Sequence, residues 1–481
     1  MSEAAALGAL PQWDLSDLYP AADSNELAAD LDRMETDAAA FAERCKGKLG
    51  ELDGEALGGA IAEYERIDEA MSRAGSYAQL VYSGDQSDPK NGKFYQGVFE
   101  RLNAISIKLL FFTLELNKLD DDRLETLMEA PALARYRPWL RDVRAMRPHQ
   151  LDDEIERVLH EKYVVGRAAW VRLFDETMAG LRFDFRGRKL TEAEILSLMS
   201  DTDGAKRKDA AQSLGDVLAS NVKTLALITN TLAKDKEIED GWRKFPRGDS
   251  SRNLANFVED EVVDALSAAV RDAYPALSHR YYALKAKWFG GDRLDYWDRN
   301  APLPDADERQ IKWDEARETV LGAYGDFSPD MAAVGKRFFD NNWIDAPVRP
   351  GKSSGAFAHP TVPSAHPYLL LNYQGKTRDV MTLAHELGHG VHQVLAADQG
   401  HLMADTPLTL AETASVFGEM LTFQAMLRKT EDVKARRAML AGKVEDMLNT
   451  VVRQIAFYEF EKRVHAERRE GELMPERLGE I

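Results

Sequence analysis

A single cysteine, Cys45, leaves no intramolecular disulfide to form and no thiolate cluster to hold a metal. Long apolar runs are missing too. The N-terminus Met1-Ser2-Glu3-Ala4 has no basic stretch, so the sequence offers neither a secretion signal nor a membrane span. Positive charge is scarce, with 62 Lys and Arg against 81 Asp and Glu and a net charge of −19. That balance argues against nucleic acid and anionic membrane as main partners. Sparse cysteine and the lack of a leader predict a reducing, cytoplasmic setting. What is present suffices for a large core and more than one domain, since 44% of the 481 residues are hydrophobic.

Helical texture dominates. Three-to-four spacing of apolar residues predicts helices over 25–46, 54–83, 92–117, 121–130, 152–180, 205–240 and 255–288. Asp88-Pro89-Lys90-Asn91-Gly92 reads as a loop between two of them. Phe183 and Phe185 alternate with charges before Gly187, which signals a short hairpin. Thr191 and Glu194 then form a capping box that opens the next helix, and a domain boundary is expected there. A loop spans 289–306. Residues 349–376 turn to Pro, Gly and Ser around Tyr368-Leu369-Leu370-Leu371-Asn372-Tyr373, a run that reads as a strand. Helices follow at about 378–397 and from Pro407 through 428.

The most informative residues lie on the first of these two helices. Ala384-His385-Glu386-Leu387-Gly388-His389-Gly390-Val391-His392 contains a His-Glu-x-x-His motif. Residues four apart share a helix face, so His385 and His389 can ligate one zinc ion, with Glu386 beside it as general base. A zinc enzyme needs a third ligand and an open position for water. Six residues after His389 stands Leu395, which excludes a third histidine at that spacing. About twenty residues on stand Leu408, Thr409 and Leu410. Glu412 is the first glutamate downstream, within the second helix, and Asp398 and Asp405 are rival ligands in a loop. His392 returns to within about 20° of the His385 face but lies about 10 Å along the axis, too far to share the ion. Glu419, seven residues after Glu412, faces the same way and is a candidate to orient a ligand imidazole. Asp379 and Ser415 are weaker candidates for that role. Six of the ten histidines lie between His359 and His401, a clustering that points toward chemistry.

Beyond the motif, the sequence resembles the oligoendopeptidase F branch of the thimet-type oligopeptidases. The resemblance rests on Trp13-Asp14-Leu15-Ser16-Asp17-Leu18-Tyr19, on Asp295-Tyr296-Trp297-Asp298-Arg299-Asn300-Ala301-Pro302-Leu303, on Gly355-Ala356-Phe357, on His366 through Tyr373, and on Arg378 through Ala384. It implies a mostly α, bilobed helical metallopeptidase with a deep channel and a small β-sheet next to the zinc helix. An N-terminal helical domain over 1–190 would precede a catalytic zinc-peptidase domain over 191–481. One Zn2+ per chain would be held by His385, His389 and Glu412, with Glu386 as base and short unstructured peptides as substrates. The edge of the 368–373 strand would pair with an extended substrate. The family continues past the position matching Ile481 with a histidine and tyrosines that bind substrate. The resemblance therefore also implies a complementing C-terminal segment as partner, or else a poorly active peptide-binding fragment. A related zinc carboxypeptidase is the other enzyme reading.

Overall fold

The computed structural model describes residues 7–303 and 309–481, so Met1-Ser2-Glu3-Ala4 and Pro304-Asp305 of the expected loop lie outside the described residues. The fold is mostly α with two small sheets. Contacts divide it into two compact units, each built from two stretches of chain. Residues 1–165 and 310–425 form the first, and 166–309 and 426–481 the second. The linear boundary expected near residue 191 does not coincide with this division. Helical periodicity tells where elements lie, but not which of them pack together.

In the first unit, helices Asn25–Cys45 and Gly54–Gly84 stand where periodicity places them. Their caps explain the starts, since Ser24 accepts a hydrogen bond from Leu27 N–H and Asp53 from Ala56 N–H. The expected loop over 88–92 is instead the first turn of helix Pro89–Leu109. Asp88 caps it and Pro89 occupies the first turn, where a missing N–H costs nothing. The 92–117 helix is interrupted at Leu110, and a separate helix Phe111–Lys118 follows. Phe41, Tyr64, Phe112 and Trp139 pack ring against ring, with Phe41 and Phe112 fully buried, and weld these helices together.

The remainder of this unit carries a three-stranded sheet. We number the strands of the chain β1 (Phe183–Phe185), β2 (Arg188–Leu190), β3 (Ile344–Asp345), β4 (Phe357–His359) and β5 (Tyr368–Leu370). The order is β3-β5-β4, with β3 parallel and β4 antiparallel to β5. Of the run at 368–373, Tyr368–Leu370 is therefore a strand, but an inner one. Both its edges are occupied, so the edge expected to receive a substrate cannot do so. The outer strand is β4. The fully buried run Tyr368-Leu369-Leu370 fits this inner place, for a strand covered on both sides reads as continuously apolar. The N-terminal Trp13–Tyr19 segment is tied to the sheet, with Tyr368 Oη donating to Asp14 O and Trp13 packed edge-on against Tyr368. Lys352, wholly buried, donates to the Asp345 carboxylate and to the carbonyls of Pro347 and Leu371, which fixes the approach to β4.

In the second unit the expected hairpin is present, with Phe183 opposite Leu190 and Phe185 opposite Arg188. Phe183, Leu190, Ile195 and Ala210 form a buried cluster around it. The predicted capping box at Thr191 and Glu194 closes in both directions. Arg207, 3% exposed, donates twice to Asp298 of the Asp295–Leu303 segment. Lys285 is fully buried against Glu445, whose carboxylate also accepts from Tyr281. Such a pair holds its geometry because breaking it strands a buried charge. The 152–180 stretch, which crosses between the units, is not one helix, since it breaks at Gly166 between Asp153–Lys162 and Arg167–Gly180.

Candidate metal centre

The motif lies on helix Thr377–Ala396, in register with the expectation. Asp379 accepts from the N–H groups of Gln374 and Lys376 at 2.8 and 2.9 Å, satisfying donors at the helix start. It is thus a cap, not a group that orients a metal ligand. A second helix, Leu408–Lys429, supplies Glu412. Glycine brings the two helices together. A Cβ at Gly388 would stand 2.7 Å from Ala414 O and 2.8 Å from Ser415 Cα, so only hydrogen permits this approach. Tyr324 braces the crossing, donating from its buried Oη to Ala384 O at 2.6 Å. Its ring fills the space a Cβ at Gly418 would need. On the other face of the motif helix, Gly390 receives the Phe338 ring. Tyr324 and Phe338 were not foreseen. They come from helices Trp313–Phe327 and Pro329–Asp340, some sixty residues upstream, and nothing in their local pattern marks them.

The crossing brings His385, His389 and Glu412 into one cluster whose donor atoms lie within 4.8 Å of one another. Glu412 Oε2 is 3.2 Å from His385 Nε2 and 3.5 Å from His389 Nε2. Ligand atoms at about 2.0–2.1 Å in a tetrahedral set stand about 3.3–3.5 Å apart, so the spacing fits zinc. Two imidazoles and one carboxylate are also a zinc enzyme's donor set. Glu412 is 57% exposed at its side chain, which leaves the site open on one side. Ser415 Oγ, fully buried, donates to Glu412 Oε2 at 2.7 Å and restrains that carboxylate. Glu419 Oε2 is 3.3 Å from His385 Nδ1. This contact turns the other ring nitrogen, Nε2, toward Glu412. Burial pulls the His385 pKa down, but hydrogen bonds to Glu412 and Glu419 outweigh it and lift the value to about 10. The same pairing holds Glu412 far below the usual carboxylate range, chiefly through His385 and then His389.

Glu386 is 7% exposed, beside the cluster but outside it. Burial raises its pKa, against the pull of His385 and His389. Asp398 and Asp405 are exposed and do not join the cluster, and neither does His392. The clustering of six histidines overstated their chemistry. His359 is half-buried on β4, accepts from Thr361 N–H and is held near pKa 4 by desolvation of its ring. His366 stacks on Trp343 and meets Asp17, and His401 meets Asp68 at 2.9 Å. These three serve packing and local hydrogen bonding.

Residues 197–481 match Peptidase family M3, and residues 115–183 match Oligopeptidase F. The chain is 25% identical over 491 residues to oligopeptidase PepF of Bacillus subtilis, covering 98% of this chain and 70% of that protein. It is 27% identical over 419 residues to group B oligopeptidase PepB of Streptococcus agalactiae, covering 85% of this chain and 69% of that one. The crystal structure of oligoendopeptidase-F from Enterococcus faecium shares the fold, with a TM-score of 0.67 at 21% identity over 94% of this chain and 77% of its own. The chain belongs to peptidase family M3, in its oligoendopeptidase F branch, and is a metalloendopeptidase.

Proposed function

We propose that this chain is a zinc-dependent endopeptidase of short, unstructured peptides, working in the cytoplasm. The observation that carries the reading is the convergence of His385, His389 and Glu412 with the buried Glu386 at one open site. His385, His389 and Glu412 are the residues that would hold the ion. Bound there, zinc would polarise the scissile carbonyl and lower the pKa of a water molecule to about 7. Glu386 accepts the proton of the attacking water and passes it to the leaving amine nitrogen, a task suited to a carboxyl whose pKa burial has raised. Glu419 keeps His385 in the tautomer that presents Nε2, and Ser415 steadies Glu412. The outer strand β4 offers backbone groups to an extended peptide, which gives affinity with little side-chain selectivity. Net charge of −19 speaks against nucleic acid and membrane as partners. Among the described residues no helix is long and apolar enough to cross a membrane.

Peptides blocked at both ends test the reading against a carboxypeptidase. Internal cleavage at undiminished rate supports it. Cleavage only of peptides with a free C-terminus, one residue at a time, would replace it.

A further inference from the structure

The outer strand β4 has a limited run of open backbone groups. Leu369 N–H donates to Trp343 O and Leu371 N–H to Asp345 O, so these residues face β3. Tyr368 and Leu370 therefore face β4, opposite His359 and Phe357. By alternation, Ala356 and Ala358 turn their N–H and C=O groups to the open side. One of these groups is already taken. Gln393 Nε2, one turn beyond His389 on the motif helix, donates to Ala358 O at 3.3 Å. The next outward position is Pro360, which has no N–H to offer.

The Gln393 amide has one orientation open to it. Its Oε1 is buried and has no hydrogen-bond partner. Turning the amide over would set an oxygen against the Ala358 oxygen, so the orientation is fixed by the strand. Beyond Gln393 a cavity of about 530 Å³, lined also by Val394, Asp68 and His401, adjoins the same turn.

We infer that Gln393 is a register stop for peptide substrate. It occupies the Ala358 carbonyl, so a peptide backbone pairs along β4 only as far as the Ala358 N–H and then leaves the strand beside the cavity. Because the stop is on the helix that carries His385 and His389, it fixes which peptide bond stands over the metal site. The inference rests on the endopeptidase reading for the identity of the ligand, an extended peptide. Gln393 acts by positioning and takes no part in bond breaking.

The test reads binding apart from turnover. A set of fluorescent, end-blocked peptides, each N-methylated at one successive backbone nitrogen, is titrated onto the metal-loaded Glu386→Gln protein and onto the same protein carrying Gln393→Met. One nitrogen is expected to tolerate methylation in the first protein and to lose affinity in the second. The freed Ala358 carbonyl then takes a hydrogen bond from that nitrogen, and the loss is roughly five- to ten-fold. Gln393→Glu, which cannot donate to the carbonyl, should give the Gln393→Met profile. Identical methylation profiles in all three proteins, or no peptide binding, would overturn the inference. If the profiles differ as expected but protein with native Glu386 cleaves nothing internally, the endopeptidase reading fails and the register stop stands.

Discussion

Glu386 and Glu419, proposed as general base and as the group that orients His385, sit in different surroundings. Glu386 is buried, raised in pKa and outside the ligand cluster, whereas Glu419 touches His385 through Nδ1. The roles predict different losses. Glu386→Gln should cut turnover by about a thousand-fold while bound zinc, counted by metal analysis, stays at one per chain. Glu419→Gln should instead weaken zinc binding about 10- to 100-fold, measured by competition with a chromogenic chelator, with milder loss of turnover at saturating metal. His385 and His389 were readable in the sequence because helical spacing puts them on one face, with Glu386 as neighbour, whereas Glu412 stood only as the first glutamate downstream beside the rivals Asp398 and Asp405 until the resemblance singled it out. Tyr324 was not readable. Its contact with Ala384 O spans 60 positions, and no periodicity encodes a long-range hydrogen bond.

Among the elements, the crossing of the motif helix with Leu408–Lys429 matters most. Gly388 sets their separation, and a methyl group there must push Ala414 and Ser415 away. Gly388→Ala should destabilise by about 1–3 kcal/mol and weaken zinc binding, read from thermal unfolding and metal competition. Gly59→Ala is the contrast. A Cβ there meets nothing within 4 Å on helix Gly54–Gly84, so it should stabilise by about 0.5–1 kcal/mol and leave zinc affinity unchanged. Helices were legible because their apolar stripes recur over many turns. Their interruptions at Leu110 and Gly166 were not, since each depends on how the flanking pieces dock. The strand Tyr368–Leu370 was legible within the run 368–373, but not as an inner one. β3 and β4 are short and carry too little alternation to announce themselves, and sheet order is set by tertiary packing.

At the scale of the whole molecule, the proposed metal ligands draw on one compact unit. His385, His389 and Glu412 all lie in the stretch 310–425, packed with residues 1–165. Binding to the folded unit and not to the unfolded chain stabilises by mass action. Chelation should therefore lower the thermal midpoint, and equimolar zinc should restore it. An unfolding curve indifferent to chelator would mean that no ion is held there. The two-unit division was not legible in sequence, since each unit closes over a long insertion. The family was, through motifs strung along the chain from Trp13 onward.

The most direct test of the central claim is cleavage of internally quenched, end-blocked peptides of about ten residues by this chain and by Glu386→Gln, with zinc content measured on both. Internal cleavage is expected that a chelator stops and zinc restores, and that the variant loses while keeping its zinc. Cleavage that survives both chelation and the Glu386→Gln substitution would contradict it.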